Sequence, residues 1–571
     1  MPDSAPFADF ADALAEVAGL SGRHDKADRL AALFERLDDA DLARAARWAA
    51  GRVFSLSDQR TVSVGFSALR SATAGATGAE PDDLQASLVR LGDPGDVAAE
   101  ALRALVPPVE PTLTLAGAED FFAEVAGTRG SKARTALITE MLGRVTAEEA
   151  RFLVKLLAGE LRIGMGEGGV QSALSRLYER PLKAVRRATM LTGDVGEAAV
   201  LARHNRLAEA TLRMFHPITF MLATPAEASD ERTLAEEVGR QIPPPVAVED
   251  KFDGIRAQAH IAADPGDDTL HGVAEAGARV ALFSRTLDAI QRAFPDLVAP
   301  LAAFAEASPR GLILDGEIVP MQDGRIAPFQ SLQKRLGRKT ASDELQAQVP
   351  VAFVAYDVLA WDDEPVFDRT YRERQALLDR LPFEGPLQRS TVTELDDLDR
   401  LDELFDEARD RGNEGLMVKA FDSAYKPGRR GRDWLKVKKA LGTLDVVVTA
   451  VERGHGGRRK LLSDFTFAVR ASDTDDTLLN VGKAYSGLTD AELAALTEWF
   501  EEHTLQTFAH GKVRTVVPEV VVEVAFDNVQ VSKRHKSGYA LRFPRIVRLR
   551  EDKPAAEIDT LATVAALAEG G

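Results

Sequence analysis

From Phe7 to about Arg213, apolar residues recur at three- and four-residue spacing with almost no strict alternation, as in "ADRLAALFERL" (27–37) and "EEARFLVKLLAGEL" (148–161). That period predicts an all-helical region. Thr146-Ala147-Glu148-Glu149 has the form of a capping box, in which the threonine and the glutamate each satisfy a backbone N–H of the first turn. "GGVQSALSRLYERPLKAVRRATML" (168–191) predicts one further helix. No fixed-period repeat is visible, so a compact bundle is expected rather than a solenoid.

Between Pro217 and Pro245 lies a transition with a short acidic helix, "DERTLAEEVGRQ" (230–241), closed by Pro243-Pro244-Pro245. The period then becomes two. Strands are predicted at "VAVEDKF" (246–252), "RAQAHI" (256–261), "ARVALFS" (278–284), "GLILDGEIV" (311–319), "VAFVAYDVL" (351–359) and "EGLMVKA" (414–420). A helical "YRERQALLDRL" (371–381) interrupts them, giving a mixed α+β region to about Ala440. From Leu444 about five short strands follow: "LDVVVTAVERG" (444–454), "DFTFAVRA" (464–471), "LLNVGKAY" (478–485), "EVVVEVAFDNVQV" (519–531) and "RIVRLRE" (545–551). Their number and spacing suit a small barrel of the OB kind. The expected fold is therefore multidomain: all-α over 1–215, α+β over 216–440, and a β-barrel over 441–571.

The chain's 571 residues, 45% hydrophobic, can build several cores. No run approaches the roughly 20 apolar residues of a membrane span, and Met1–Pro6 has no basic segment ahead of an apolar one, so a cytoplasmic protein without a membrane partner is expected. The absence of cysteine excludes disulfides, thiol nucleophiles and cysteine zinc sites. A net charge of −18 argues against a polyanionic partner until its distribution is considered. Tyr425–Lys460 holds eleven Lys/Arg against three acids, Val531–Lys553 eight against two, and Phe329–Lys339 four against none. Basic clusters on an acidic body suit a cleft that binds nucleic acid.

Lys251-Phe252-Asp253-Gly254 sets one lysine among the carboxylates of Glu249, Asp250 and Asp253. Alone the motif is weak, expected by chance in roughly one protein in fifteen of this length, and a strand-end lysine paired with a neighbouring acid would explain it. What changes the odds is the ordered set downstream: Asp315-Gly316-Glu317 and Tyr356-Asp357 close apolar strands, Glu414-Gly415 opens another, and Trp434-Leu435-Lys436-Val437-Lys438 follows a basic loop. A lysine nucleophile, an aromatic platform, two acids able to hold Mg²⁺ and several fixed cations are what nucleotidyl transfer requires. The lysine must be neutral when it attacks.

Taken in order, "EDKFDGIRAQAH", "LFSRTLDAI", "LDGEIV", "PFQSLQKRLGRK", "AYDVL", "NEGLMVK", "GRRGRDWLKVKK" and "LRFPRIVRLREDK" resemble the motifs of the ATP-dependent DNA ligases, and the resemblance spans essentially the whole chain. It is nearest to the bacterial and archaeal three-domain form, with a helical DNA-binding domain, an adenylation domain and an OB domain. "ELRIGMGEG" and "HPITFMLA" resemble segments in and just after the helical domain. The resemblance implies that Lys251 takes up AMP, that Glu249 reads the adenine amino group and that Tyr356, where the family commonly has Phe, stacks on the base. It implies further that Glu317 contacts ribose or metal, that Glu414 holds Mg²⁺ or another divalent cation, and that Arg256, Arg285, Arg430, Lys436 and Lys438 hold the triphosphate and later the nick 5′-phosphate. Asp552 and Lys553 would orient departing pyrophosphate. ATP and nicked duplex DNA are the implied partners, bound by a monomer that encircles the DNA.

Arg453, Arg458, Arg459 and Lys460 are expected in a DNA-facing loop, while Gly130-Ser131-Lys132 and Arg162–Gly164 are phosphate contacts or ordinary loop and cap residues. An RNA ligase or a capping guanylyltransferase shares the lysine motif but fits the long helical region and the "REDK" ending poorly. An NAD-dependent ligase would carry a cysteine zinc cluster. A non-catalytic DNA clamp would not need Lys251, Glu317, Glu414, Lys436 and Lys438 intact.

Overall fold

The structure is a computed structural model and describes all residues except 1–3, 57, 59, 63, 106–109, 227–231, 268–269, 337–339, 438–441, 455–457, 459–460, 509–511 and 570–571. It divides into two compact units, residues 1–68 with 107–438 and residues 69–106 with 439–571.

In the first unit the helical pattern folds as expected around Trp48, whose buried ring meets Phe10 and Phe122 edge-on at 5.8 and 5.5 Å. Helix Ala147–Ala158 starts at the capping box, with Thr146 accepting from the Glu149 N–H and Glu149 from that of Thr146. The stretch 168–191 departs from expectation. It forms two helices, Glu167–Leu177 and Leu182–Thr192, because Glu179 turns left-handed (φ 52°) and Pro181 caps the second helix. A proline inside one continuous helix would cost a hydrogen bond and a clash with the preceding turn. The acidic helix of the transition begins later than expected, at Leu234 after the Thr233 cap, and runs to Gln241.

Two sheets follow. The first, of five strands, has the order β1 (Leu222–Ala226), β13 (Arg430–Val437), β12 (Gly415–Ala420), β2 (Val246–Lys251), β11 (Thr393–Leu395). The second runs β10 (Leu387–Arg389), β8 (Val351–Trp361), β6 (Leu312–Gln322), β3 (Ile255–Ala263), β5 (Ala278–Ser284), β4 (Val273–Glu275), with β7 (Arg325–Ile326) and β9 (Glu364–Pro365) paired at its flanks.

Since successive side chains point to opposite faces, each sheet has an apolar side and a chemical side. On the first, Val246, Val248, Leu416, Val418, Leu435 and Val437 pack beneath the helices Leu401–Asp410 and Leu234–Gln241. On the second, Ala257, Ala259, Leu314, Ile318, Phe353 and Ala355 pack on Phe294, Leu297 and Leu301. The intervening residues of the two sheets face each other, joined at one end by a cluster of Ile313, Leu359, Met417, Tyr425 and Trp434.

The second unit is built on the meander β14 (Gly442–Arg453), β15 (Leu462–Ser472), β16 (Asp475–Ala484). β14 pairs β19 (Val521–Phe526) with its first half and β18 (Val513–Val516) with its second, and β19 pairs β22 (Arg545–Leu549). Strand order is completed by β17 (Thr504–Phe508) beside β18 and by the hairpin β20 (Asn528–Val531), β21 (Tyr539–Arg542). Five strands were too few. The segment 519–531 is two strands broken at Asp527, and a capped helix, Asp490–Glu502, precedes β17. Helices Pro81–Leu91 and Pro94–Arg103 pack on each other in the same unit.

Candidate active site

β2 brings Ala247, Glu249 and Lys251 to the chemical face of the five-stranded sheet, and register fixes what stands beside them. Glu249 lies opposite Met417, which lies opposite Lys436, and Lys251 lies opposite Gly415. Gly415 has φ 144°, and a Cβ there would come within 2.4 Å of the Val437 carbonyl, so only glycine allows the two strands this approach. The neighbouring Glu414 is thereby aimed at Lys251: its N–H donates to the Lys251 carbonyl at 2.8 Å and its carboxylate forms an ion pair with Lys251 Nζ. Both side chains keep some exposure, 22% for Lys251 and 17% for Glu414. Asp250, on the opposite face, is tied to Arg411 at 2.8 Å and Asn413 at 2.9 Å and stays out of the cleft.

Opposite stands the eight-stranded sheet with Arg256, Glu317 and Tyr356 on β3, β6 and β8, Arg256 registered on Glu317 and Glu317 on Val354. Burial pushes the Glu317 carboxyl up to about 8; nearby Asp315 and Glu414 add to this, while Lys251 and Arg256 oppose it. Arg256 is less available than expected. Its Nε and Nη2 donate to Asp315 at 3.1 and 2.7 Å, its Nη1 to the Met221 carbonyl at 2.7 Å and its Nη2 also to the Tyr425 hydroxyl at 3.4 Å, so most of its five N–H groups are committed. Its guanidinium lies 4.7 Å from the Phe220 ring centroid and 5.8 Å from that of Tyr356. Asp315 also accepts from the Tyr425 hydroxyl at 2.7 Å. Behind Tyr356, Asp357 and Arg374 form a fully buried bidentate pair at 2.7 and 2.9 Å.

Glu249 is 3% exposed. Its Oε1 accepts from the Tyr371 hydroxyl and lies 2.5 Å from Lys419 Nζ. Sequence reasoning gave no role to Lys419, Tyr371, Asp315 or Tyr425. Alternation along "EGLMVK" held a signal, since Lys419 shares its face with Met417; Tyr371 and Tyr425 come from a helix and a loop whose approach no local pattern reveals.

Other expected groups are less gathered. Arg285 is exposed in the turn after β5, and Arg430 is exposed at the start of β13. Lys436 is half-buried on β13, and Lys438 lies outside the described residues. In the second unit, Asp552 is held down to about 2 by its hydrogen bond with Arg550, and Lys553 donates to Asp445 at 2.7 Å. Asp445 also accepts from Arg550 at 2.7 Å. Arg453 pairs with Glu501 and Arg458 with Asp490, each at 2.9 Å, whereas Arg459 and Lys460 lie outside the described residues. In the helical region Lys132 is exposed after the left-handed Gly130, and Arg162 pairs with Glu160. The loop carrying Arg162 and Gly164 is fastened by buried Lys26, which donates to the Ile163 carbonyl at 2.7 Å.

Glu317 and Glu414 offer two hard oxygen donors near the lysine, and a carboxyl as desolvated as Glu317 gains from a nearby cation. This donor set fits Mg²⁺, which is commonly held by one or two carboxylates with water and substrate phosphates completing its shell. Among the described residues no helix is long and apolar enough to cross a membrane.

Residues 221–438 match the family model described as the ATP dependent DNA ligase domain, 6–175 the DNA ligase N terminus, and 458–553 the ATP dependent DNA ligase C terminal region. The chain is 44% identical to a "Probable DNA ligase" of Koribacter versatilis, across 95% of this chain and 93% of that protein. It is 34% identical to a "DNA ligase" of Archaeoglobus fulgidus, across 98% and 97%. In fold it is similar to a solved structure titled "Pmar-Lig_PreS3", with a TM-score of 0.57 at 17% identity, covering 95% of this chain and 99% of that one.

Proposed function

Because this chain belongs to the ATP-dependent DNA ligases, enzymes that seal nicks in DNA, we propose that Lys251 is the residue that carries AMP and that the cleft between its two sheets holds the nucleotide. What carries this reading is the Lys251 amine at the end of β2, partly exposed, with Glu414 against it and Glu317 and Tyr356 across the cleft.

The neutral Lys251 amine attacks the α-phosphorus of ATP; an N–P bond forms and pyrophosphate leaves. AMP passes next to the 5′-phosphate at a nick, and the 3′-hydroxyl attacks that activated phosphate, forming the phosphodiester and releasing AMP. Each step depends on positioning and charge neutralisation more than on a strong base. Tyr356 supplies the stacking face, Glu249 the acceptor for the adenine amino group, and Lys436, Lys438, Arg285 and Arg430 the cations for the phosphates. Arg256 does so through the N–H not spent on Asp315, Met221 and Tyr425. Glu317 and Glu414 would hold Mg²⁺, which supplies charge neutralisation at the phosphates. Asp552 and Lys553 meet the pyrophosphate.

The enzyme acts as a cytoplasmic, nucleoid-associated monomer encircling nicked duplex DNA, a reading supported by one chain's carrying every proposed group. The expected result with α-labelled ATP and Mg²⁺ is an acid-stable labelled adduct on the wild type and none on Lys251→Ala. A labelled Lys251→Ala protein would refute the assignment, and comparison of nick sealing on DNA and RNA duplexes separates a DNA ligase from an RNA ligase.

A further inference from the structure

We propose that Lys419 and Tyr371 are positioning residues that set the base specificity of the nucleotide pocket, by engaging one oxygen of Glu249 and leaving the other to read the base. The inference rests on the reading of Glu249 as the residue that faces the purine.

Both contacts converge on one atom. The Tyr371 hydroxyl donates its only proton to Glu249 Oε1, and Lys419 Nζ lies 2.5 Å from the same oxygen. Among the described residues Oε2 receives no hydrogen bond. Lys419 is 1% exposed and, despite that ion contact, makes no well-angled hydrogen bond. Its ammonium sits instead over three rings, 4.9 Å from the centroid of Tyr356, 4.9 Å from Tyr371 and 4.3 Å from Trp434. A lysine buried this far is costly unless a counter-charge and aromatic faces offset its lost hydration. Glu249 is that counter-charge, and the same ammonium lies against the Tyr356 platform, so one side chain connects the stacking surface to the edge-reading group.

The chemistry follows from what Glu249 can do while charged. A carboxylate only accepts hydrogen bonds. Adenine presents an amino donor at its 6-position where guanine presents a carbonyl acceptor. The open Oε2 accepts from the first and repels the second, and a site that leaves a polar group unpaired rejects the wrong ligand strongly. Without Lys419 and Tyr371, Oε1 loses both partners, the carboxylate is no longer held in one orientation, and Oε2 ceases to present a fixed acceptor that distinguishes the two bases.

The test is single-turnover labelling of the full-length protein with α-labelled ATP or GTP and Mg²⁺, for the wild type, Lys419→Met, Lys419→Arg, Tyr371→Phe and Glu249→Gln, each checked by thermal melting. Lys419→Met is expected to lower the ATP-over-GTP preference by about tenfold or more, chiefly through the nucleotide concentration at half-saturation, with Lys419→Arg restoring most of it and Tyr371→Phe showing a smaller shift of the same sign. A folded Lys419→Met and Tyr371→Phe with the wild-type ratio, beside a Glu249→Gln that loses it, would overturn the inference and leave Glu249 as base reader. An unchanged ratio in Glu249→Gln would overturn both. Should Lys419→Met fail to fold, Tyr371→Phe decides, and an unchanged ratio there counts against the proposal.

Discussion

On the five-stranded face of the cleft, Lys251 and Glu414 remain 22% and 17% exposed and hold each other by a single ion contact. On the eight-stranded face, Asp315 is completely buried and accepts from Arg256 and Tyr425, while Asp357 and Arg374 are both sealed from solvent. Charges are present on both sides, but water decides what they can do. A pair in which both members keep some contact with water exchanges partners more cheaply; a pair whose carboxylate is fully buried and multiply bonded cannot lose its cation without stranding that charge. On the proposed reading, the first face changes partners as phosphates arrive and the second keeps its shape while they do.

Four substitutions or conditions sharpen or break that contrast. Lys251→Ala is expected to abolish labelling by ATP with no more than about 0.5 kcal/mol lost in denaturant unfolding; a large loss of stability would show that the lysine belongs with the structural charges. Arg256→Ala should instead cost about 3–5 kcal/mol in chemical denaturation, because Asp315 is left buried without its charge partner. If unfolding of that variant matches the wild type, the division between the two faces is wrong. Glu414→Gln is expected to slow lysine labelling by about a hundredfold while changing stability by less than about 1 kcal/mol, read by quench-flow and melting side by side.

The smallest effect concerns pH. His260, completely buried on β3 behind Arg256, accepts from the Phe215 N–H at 3.2 Å, and burial pulls its imidazole down to about 3. The unfolded chain binds this proton below about 6.5 and the folded one does not. The contribution is therefore complete above pH 6.5 and is lost as pH falls toward 3, by at most about 1.4 kcal/mol per pH unit. Unfolding followed from pH 7 to pH 5 should give a shallower slope for His260→Gln than for the wild type; identical slopes would remove His260 from the account.

Much of this was legible from residues alone. Alternation in "VAVEDKF" places Glu249 and Lys251 on one face and Val248 on the other, because the period of a strand is a local property of the backbone; the Thr146 capping box likewise depends on residues within one turn. Composition also settles the absence of thiol chemistry. The sequence did not reveal which cations were already committed to protein partners. Arg256 looks as available in the string as any other cation of the motifs, yet the fold brings Asp315, Met221 and Tyr425 around it. Nor could it show that a lysine from β12 and a tyrosine from helix Tyr371–Leu378 converge on one oxygen of Glu249. The partners of Glu249 lie more than a hundred residues from it, and their meeting depends on strand order, register and the packing of one sheet face on another. The sequence by itself determined most of the elements and the family, because period and motif order are local; the tertiary structure decided which charges are paired and dry, because burial and partnership are properties of the packed chain and not of any segment within it.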